Sequence, residues 1–286
     1  MDKELFDIGE NEIRVVGSMS PKDDNPRPRH RWWLWLLAAL LLLAAFAIGP
    51  LMMRRTMKSP SIYAPEPTID TTQVITFENL TETKSYTQFS RDTVNDIALQ
   101  IYTPVGGHVE LYVGQLPNDD SSIILAAQAA DYRADNGKIS GAFVYRGELL
   151  SRGHPKYGFC AIIGDKLTMG MSPETPLFER AVEQNGYFFR QFALVHDGQP
   201  GESLPKGKAI RRALCYYQQA IVIVESAERE SMHDFSQALL DMGVQEAIAL
   251  VGSIQLPLYE DEAGNRIINE QEHWEKAQET YIVWRR

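Results

Sequence analysis

Residues 32–53 read WWLWLLAALLLLAAFAIGPLMM without one charged side chain. At about 1.5 Å per helical residue, such a run covers the roughly 30 Å hydrocarbon core of a bilayer. Trp32, Trp33 and Trp35 gather at one end, where indoles favour the interface, and Pro50 lies near the other, where a kink costs little. The run is longer than the core of a signal peptide, and Met52-Met53-Arg54-Arg55 is a poor small-residue cleavage site. The sequence therefore predicts a single transmembrane helix over 32–53, in contact with membrane lipid. Lys22, Arg27, Arg29 and Arg31 precede it, while Arg54, Arg55 and Lys58 follow it. By the positive-inside rule this balance favours a cytoplasmic N-terminus. The tail 1–31 is too short and charged to fold alone, and Pro26-Arg27-Pro28 keeps it extended. Residues 54–70, with Pro60, Pro65 and Pro67, read as a stiff spacer.

Everything after the spacer has to be soluble, because mean hydropathy is −0.27 in spite of the apolar run. Residues 71–286 are enough to bury a core without staples. A net charge of −10 leaves no basic field to hold nucleic acid. With two cysteines, Cys160 and Cys215, the chain is neither a disulfide scaffold nor a zinc module. Both fall in expected strands, where they would bridge if those strands were neighbours and otherwise stay as buried thiols.

Short apolar or alternating runs predict strands at 97–102, 109–113, 123–127 and 157–163, punctuated by Gly106-Gly107 and by Pro117-Asn118-Asp119-Asp120. Ser172 and Pro173 predict a helix over 172–184. The run YFFRQFALV predicts one strand over 187–195, and strands at 213–217 and 220–224 flank a turn at Gln218-Gln219. Ser231 as N-cap, one apolar face formed by Met232, Phe235, Leu239 and Met242, and Gly243 as terminator predict a helix over 231–242. Strands at 247–251 and 281–284 complete the set. This mixture of hairpins and helices predicts an α+β domain, a mixed sheet with a few packed helices behind one transmembrane helix.

No phosphate loop, GxSxG elbow, HExxH or paired CxxC occurs. No pair among His30, His108, His154, His196, His233 and His273 has the spacing of a helical metal site, so neither a metal nor a cofactor is expected. Three polar groups stand out. Asp131, Arg133, Asp135 and Asn136 follow an apolar strand, as a site or as a charged turn with Asn136-Gly137 at its bend. Arg211-Arg212 precede a buried strand and suit a bidentate grip on an anion, or are simply solvated. His233 and Asp234 lie in the first turn of a helix, as an acid or base or as complements to the helix dipole.

From about 126 to 253 the sequence resembles the phosphodiester glycosidase family. FALVHDG matches the family's turn, Arg211-Arg212-Ala213-Leu214 its arginine strand, SMHDFSQALLDMGV its amphipathic helix, and AIALVGS its last strand. ADYRADNGKISGAFVYRGELLSRG stands where the family has an Asn-Gly-Gly motif, here Asp131-Tyr132-Arg133. Val251 replaces the family's acidic residue. The resemblance implies cleavage of a sugar from a phosphodiester. Arg211 and Arg212 would hold the phosphate, Asp131 and His233 would supply acid and base, Arg133 and Asn136 would contact substrate, and Gly252 and Ser253 would line the floor. It also implies a bacterial inner-membrane protein whose C-terminal domain faces the periplasm. With Val251 in the acidic position, the alternative is a catalytically inactive anchored module that binds a glycan or another envelope protein.

Overall fold

Antiparallel hairpins, rather than strand–helix alternation, organise this chain. The computed structural model describes residues 74–76, 84–117, 119–133, 135–252, 256, 258–269 and 279–286. The tail, the expected transmembrane helix at 32–53, the spacer and Ser253 all lie outside the described residues. Among those described, no helix is long and apolar enough to cross a membrane.

The strands are β1 (Val74–Thr76), β2 (Tyr86–Val94), β3 (Ile97–Val105), β4 (His108–Val113), β5 (Ile123–Gln128), β6 (Phe143–Tyr145), β7 (Glu148–Ser151), β8 (Gly158–Ile163) and β9 (Lys166–Met171). They continue with β10 (Tyr187–Gln191), β11 (Ala193–His196), β12 (Gln199–Pro200), β13 (Lys208–Tyr217), β14 (Ala220–Ser231), β15 (Glu246–Leu250), β16 (Leu258–Glu260), β17 (Arg266–Ile268) and β18 (Thr280–Arg285). The two described helices are α1 (Leu177–Glu183) and α2 (Met232–Met242). Three sheets form, in the orders β1-β9-β8-β10-β6-β7, β12-β11-β15-β13-β14-β3-β2 and β17-β16-β5-β18-β4.

The expected α+β class is therefore corrected to a predominantly β fold of three antiparallel sheets. Many of its strands carry little apolar signal. β2, TQFSRDTV after its first tyrosine, is mostly exposed, and β6, β7 and β17 are three or four residues long. The first expected helix also shrinks. Pro176 biases Thr175 away from the helical region, so the helix begins at Leu177 and the segment from Ser172 onward is a turn.

The middle sheet shows how sequence sets orientation. Along β13, β14 and β15, Leu214, Ile221, Ile223, Ile248 and Leu250 face the other sheets. Ala213, Cys215, Val222, Val224, Ala247 and Ala249 face the opposite way, toward α2. The alanines on that face let α2 approach closely with Phe235, Ala238 and Leu239. The helix starts as expected: Ser231 Oγ accepts from the Asp234 N–H at 3.0 Å, and Gly243 ends it in the left-handed region. Gln218 and Gln219, at φ 49° and 63°, close the β13–β14 hairpin.

Cys160 on β8 and Cys215 on β13 are free, buried thiols in different sheets, and burial pushes both well above the ordinary thiol range. The run expected as one strand over 187–195 breaks at Phe192. β10 joins the first sheet and β11 the second. Gly158 permits the break, because a Cβ there would lie 2.7 Å from Gln191 O and 2.8 Å from Ala193 N.

Candidate functional site

Strand ends from all three sheets converge on one cleft. β5 runs buried into Ala129 and Ala130 and delivers Asp131. β15 continues into Val251, whose N–H donates to Gln128 O at 3.1 Å and ties the two strand ends together. β10 ends at Gln191, beside the break at Phe192. The cleft has a volume of about 220 Å³. Asp131, Gln191, Arg211, Arg212 and Gly252 give it polar lining, and Phe192, Met232 and Phe235 contribute apolar wall.

Asp131 carries the accessible charge. Its side chain is 48% exposed, and Oδ2 accepts from Lys156 Nζ at 3.3 Å and from Gln191 Nε2 at 3.4 Å. Lys156 is 7% exposed, donates to Gln191 Oε1 at 2.6 Å and sits 5.0 Å over the Phe192 ring. Burial holds its ammonium below the ordinary lysine range, and Asp131 opposes that shift. Gln191 Nε2 also donates to Ala129 O at 3.2 Å, which fixes the amide and thereby the face that Asp131 presents.

The two arginines differ. Arg212 is fully enclosed: Nε donates to Glu225 Oε2 at 2.7 Å, Nη2 to the same carboxylate, and Nη1 to Val251 O at 2.6 Å. Burial raises the Glu225 carboxyl and Arg212 opposes it. Arg212 thus spends its donors on the protein and braces the cleft wall. Arg211 stands at a register shift between the Ile210–Arg229 and Arg212–Glu225 pairs. Such an irregularity re-aims side chains, which accounts for two consecutive strand residues lining one cleft. Its N–H donates to Ser226 Oγ at 2.8 Å and its Nε to Glu230 O at 2.8 Å. Burial lowers its guanidinium from the ordinary arginine range, reinforced by Arg229.

Gly252 is dictated by packing, since a Cβ there would lie 2.5 Å from Ile210 O and 2.7 Å from Arg212 N. The structure thus gathers Asp131, Arg211, Arg212 and Gly252 in one place. It does not bring His233 there: that side chain is 72% exposed, 3.5 Å from Asp234, and only its neighbour Met232 lines the cleft. Arg133 and Asn136 belong to a turn outside the lining. The Arg133 guanidinium contacts Asp135, 2.9 Å from Nε, and His154, while Asn136 Oδ1 accepts from the Lys138 N–H at 3.0 Å. Lys156, Gln191 and Glu225 carry no site signal in the sequence, because each lies in or beside a run that reads as buried strand.

Away from the cleft, one cluster carries metal-type donors. His196 Nδ1 lies 2.6 Å from Glu246 Oε1, and His196 Nε2 lies 3.4 Å from Asp197 Oδ2. Burial pushes the Glu246 carboxyl up to about 7, with His196 opposing.

No protein-family model matches the chain, and no curated protein matches it. Among solved structures it is similar to the catalytic domain of zebrafish N-acetylglucosamine-1-phosphodiester alpha-N-acetylglucosaminidase, auto-inhibited by its pro-peptide. The TM-score is 0.49 at 13% identity, over 75% of this chain and 87% of that one.

Proposed function

We propose that the cleft of this chain takes a phosphodiester-linked sugar, that Asp131 is its acid/base, and that residues 32–53 hold the domain at a membrane. One observation carries the reading: a half-exposed carboxylate, fixed by Lys156 and Gln191, lines a cleft that also presents the apolar side chains of Phe192, Met232 and Phe235. Sugars offer that same pairing of hydroxyl edge and apolar ring face. The order of motifs from FALVHDG to AIALVGS supports the same substrate class.

The chemistry suits a single carboxylate. Cleaving a glycoside from an alcohol requires two carboxyl groups, one of which protonates the departing oxygen. A phosphate monoester leaves with a conjugate acid of pKa about 6, so it needs little help. Asp131 then has one task. It takes a proton from water while the water oxygen bonds to the anomeric carbon; the C–O bond breaks, and its electron pair leaves on the phosphate oxygen. Arg211 in the cleft lining and Lys156 beside Asp131 supply positive charge. Arg212 holds the wall through Glu225 and Val251.

The second reading is a module that binds such a sugar, or another envelope protein, without cleaving it. Asp131 is the one carboxylate among the cleft's described lining residues, and Val251 adds none at the end of β15. In either case the charges flanking 32–53 favour a domain on the side away from the cytoplasm, which the family resemblance makes the periplasmic side of an inner membrane.

The test uses the full chain in detergent with a panel of sugar phosphodiesters, following sugar release and melting temperature together. Release that Asp131→Asn abolishes with the fold intact supports catalysis. A melting shift without release supports the binding module. Silence in both removes the sugar phosphodiester reading.

A further inference from the structure

Glu246 opens β15 at the end opposite Val251. At about 3.3 Å per strand residue, it lies roughly 16 Å from Val251 and about 10 Å from Ala249, the first residue of β15 in the cleft lining. His196 and Asp197 close β11 beside it, and none of the three lines the cleft. One donor atom from each lies within 4.8 Å of the others.

We propose that His196, Asp197 and Glu246 form a site for a divalent transition ion of the zinc or manganese class. The set is chemically balanced for it: one imidazole and two carboxylates favour such ions over calcium, which prefers oxygen donors alone. Glu246 is 2% exposed, and among the described residues its only ion-pair partner is His196. Glu246 is thus enclosed between an imidazole and a second carboxyl group, an arrangement of donors that a cation compensates. Asp197 is 62% exposed on the β11–β12 turn, with room to close onto an ion while leaving positions for water. The ion locks that turn against the start of β15. The histidine spacing in the sequence gave no hint of it, because the third donor arrives from a strand fifty residues away.

The experiment takes the full chain in detergent, stripped with a chelator, and titrates it separately with zinc and manganese ions by calorimetry, with melting temperature in parallel. The expected result is one ion per chain and a raised melting temperature. His196→Ala weakens binding more than tenfold, Glu246→Gln does likewise, and Asp197→Asn weakens it less. Circular dichroism checks the fold of the buried Glu246→Gln variant, and His196→Ala, on a partly exposed residue, decides alone if that variant is misfolded. Absence of binding to the native chain, or binding that His196→Ala leaves unchanged, overturns the proposal.

Discussion

Arg212 and Glu225 face each other across β13 and β14 as an ion pair shut off from solvent, Nε to Oε2 at 2.7 Å. Two charges inside an apolar sandwich are tolerable only together. The carbonyl of Val251 completes the arrangement and links the pair to the strand end that bounds the cleft. One unit of buried polar chemistry thereby joins the middle sheet to the candidate site.

Removing one partner exposes that dependence. Arg212→Ala leaves the Glu225 carboxylate uncompensated, and the expected loss is about 3–5 kcal/mol of stability. Replacing both, as Arg212→Met with Glu225→Leu, recovers most of it, since a buried pair and a well-packed apolar substitute are often near parity. Urea unfolding followed by tryptophan fluorescence measures both; a double variant as unstable as the single one contradicts the account.

Gly252→Ala tests the close approach of β15 to β13. The added methyl meets backbone, Ile210 O and Arg212 N, so no side chain can swing aside. A loss of about 1–3 kcal/mol is expected, together with displaced Arg211 and Arg212 and weakened ligand-induced stabilisation. A variant with native melting temperature and native ligand response shows that the strands have more room than this.

Acid should act on Asp120. Its carboxyl accepts from Ser122 Oγ at 2.7 Å and the Ser122 N–H at 3.0 Å, and pairs with Arg285. These hold it down at about 2 against an ordinary value of 3.8, the Ser122 hydroxyl contributing most. A depressed carboxyl stabilises the fold above its unfolded pKa and loses that contribution as pH falls through the folded one. Asp120 is 30% exposed, so solvent screening leaves about 1 kcal/mol. Between pH 4 and pH 2 the native chain should therefore lose more stability than Asp120→Asn, as read by melting temperature across that range. Parallel curves argue against it.

What the sequence made legible was local. Ser231 and Gly243 bracket α2 because caps are chemistry within one turn, and Gln218-Gln219 mark a hairpin between two apolar runs. Asp131, Arg211 and Arg212 were found because each sits at the end or the edge of a strong apolar strand, and Gly252 through the family resemblance. The illegible part is non-local. β2 alternates polar residues on an exposed edge, so periodicity gives it no weight. YFFRQFALV reads as one strand because nothing inside it shows that Gly158, thirty-odd residues earlier, lets the backbone break there. His233 looked like an acid or base from its helix terminus, yet which face of the first turn meets solvent is settled only by packing against the middle sheet. Lys156 and Gln191 find Asp131 through a meeting of sheets that no spacing encodes.

Lys156 joins stability to function in one residue. Its ammonium is buried against Gln191 and Phe192 and pays for that burial with a pKa held below the ordinary lysine value of 10.5. Below that depressed value the folded state carries a costly buried charge. As pH rises from there toward 10.5, the folded chain binds fewer protons than the unfolded one, so stability climbs. Lys156→Met removes the titration, so its melting temperature, measured from pH 7 to 10.5, should lack the climb seen in the native chain and match or exceed it at pH 7. Function should move the other way. Without the ammonium, Asp131 loses the contact that fixes it at the cleft, and sugar release or sugar-induced stabilisation should fall about tenfold or more, as losing a charge-assisted contact of roughly 1.5–3 kcal/mol would imply. A Lys156→Met chain that binds and releases sugar as the native one does removes Lys156, and with it the fixed geometry of Asp131, from the mechanism.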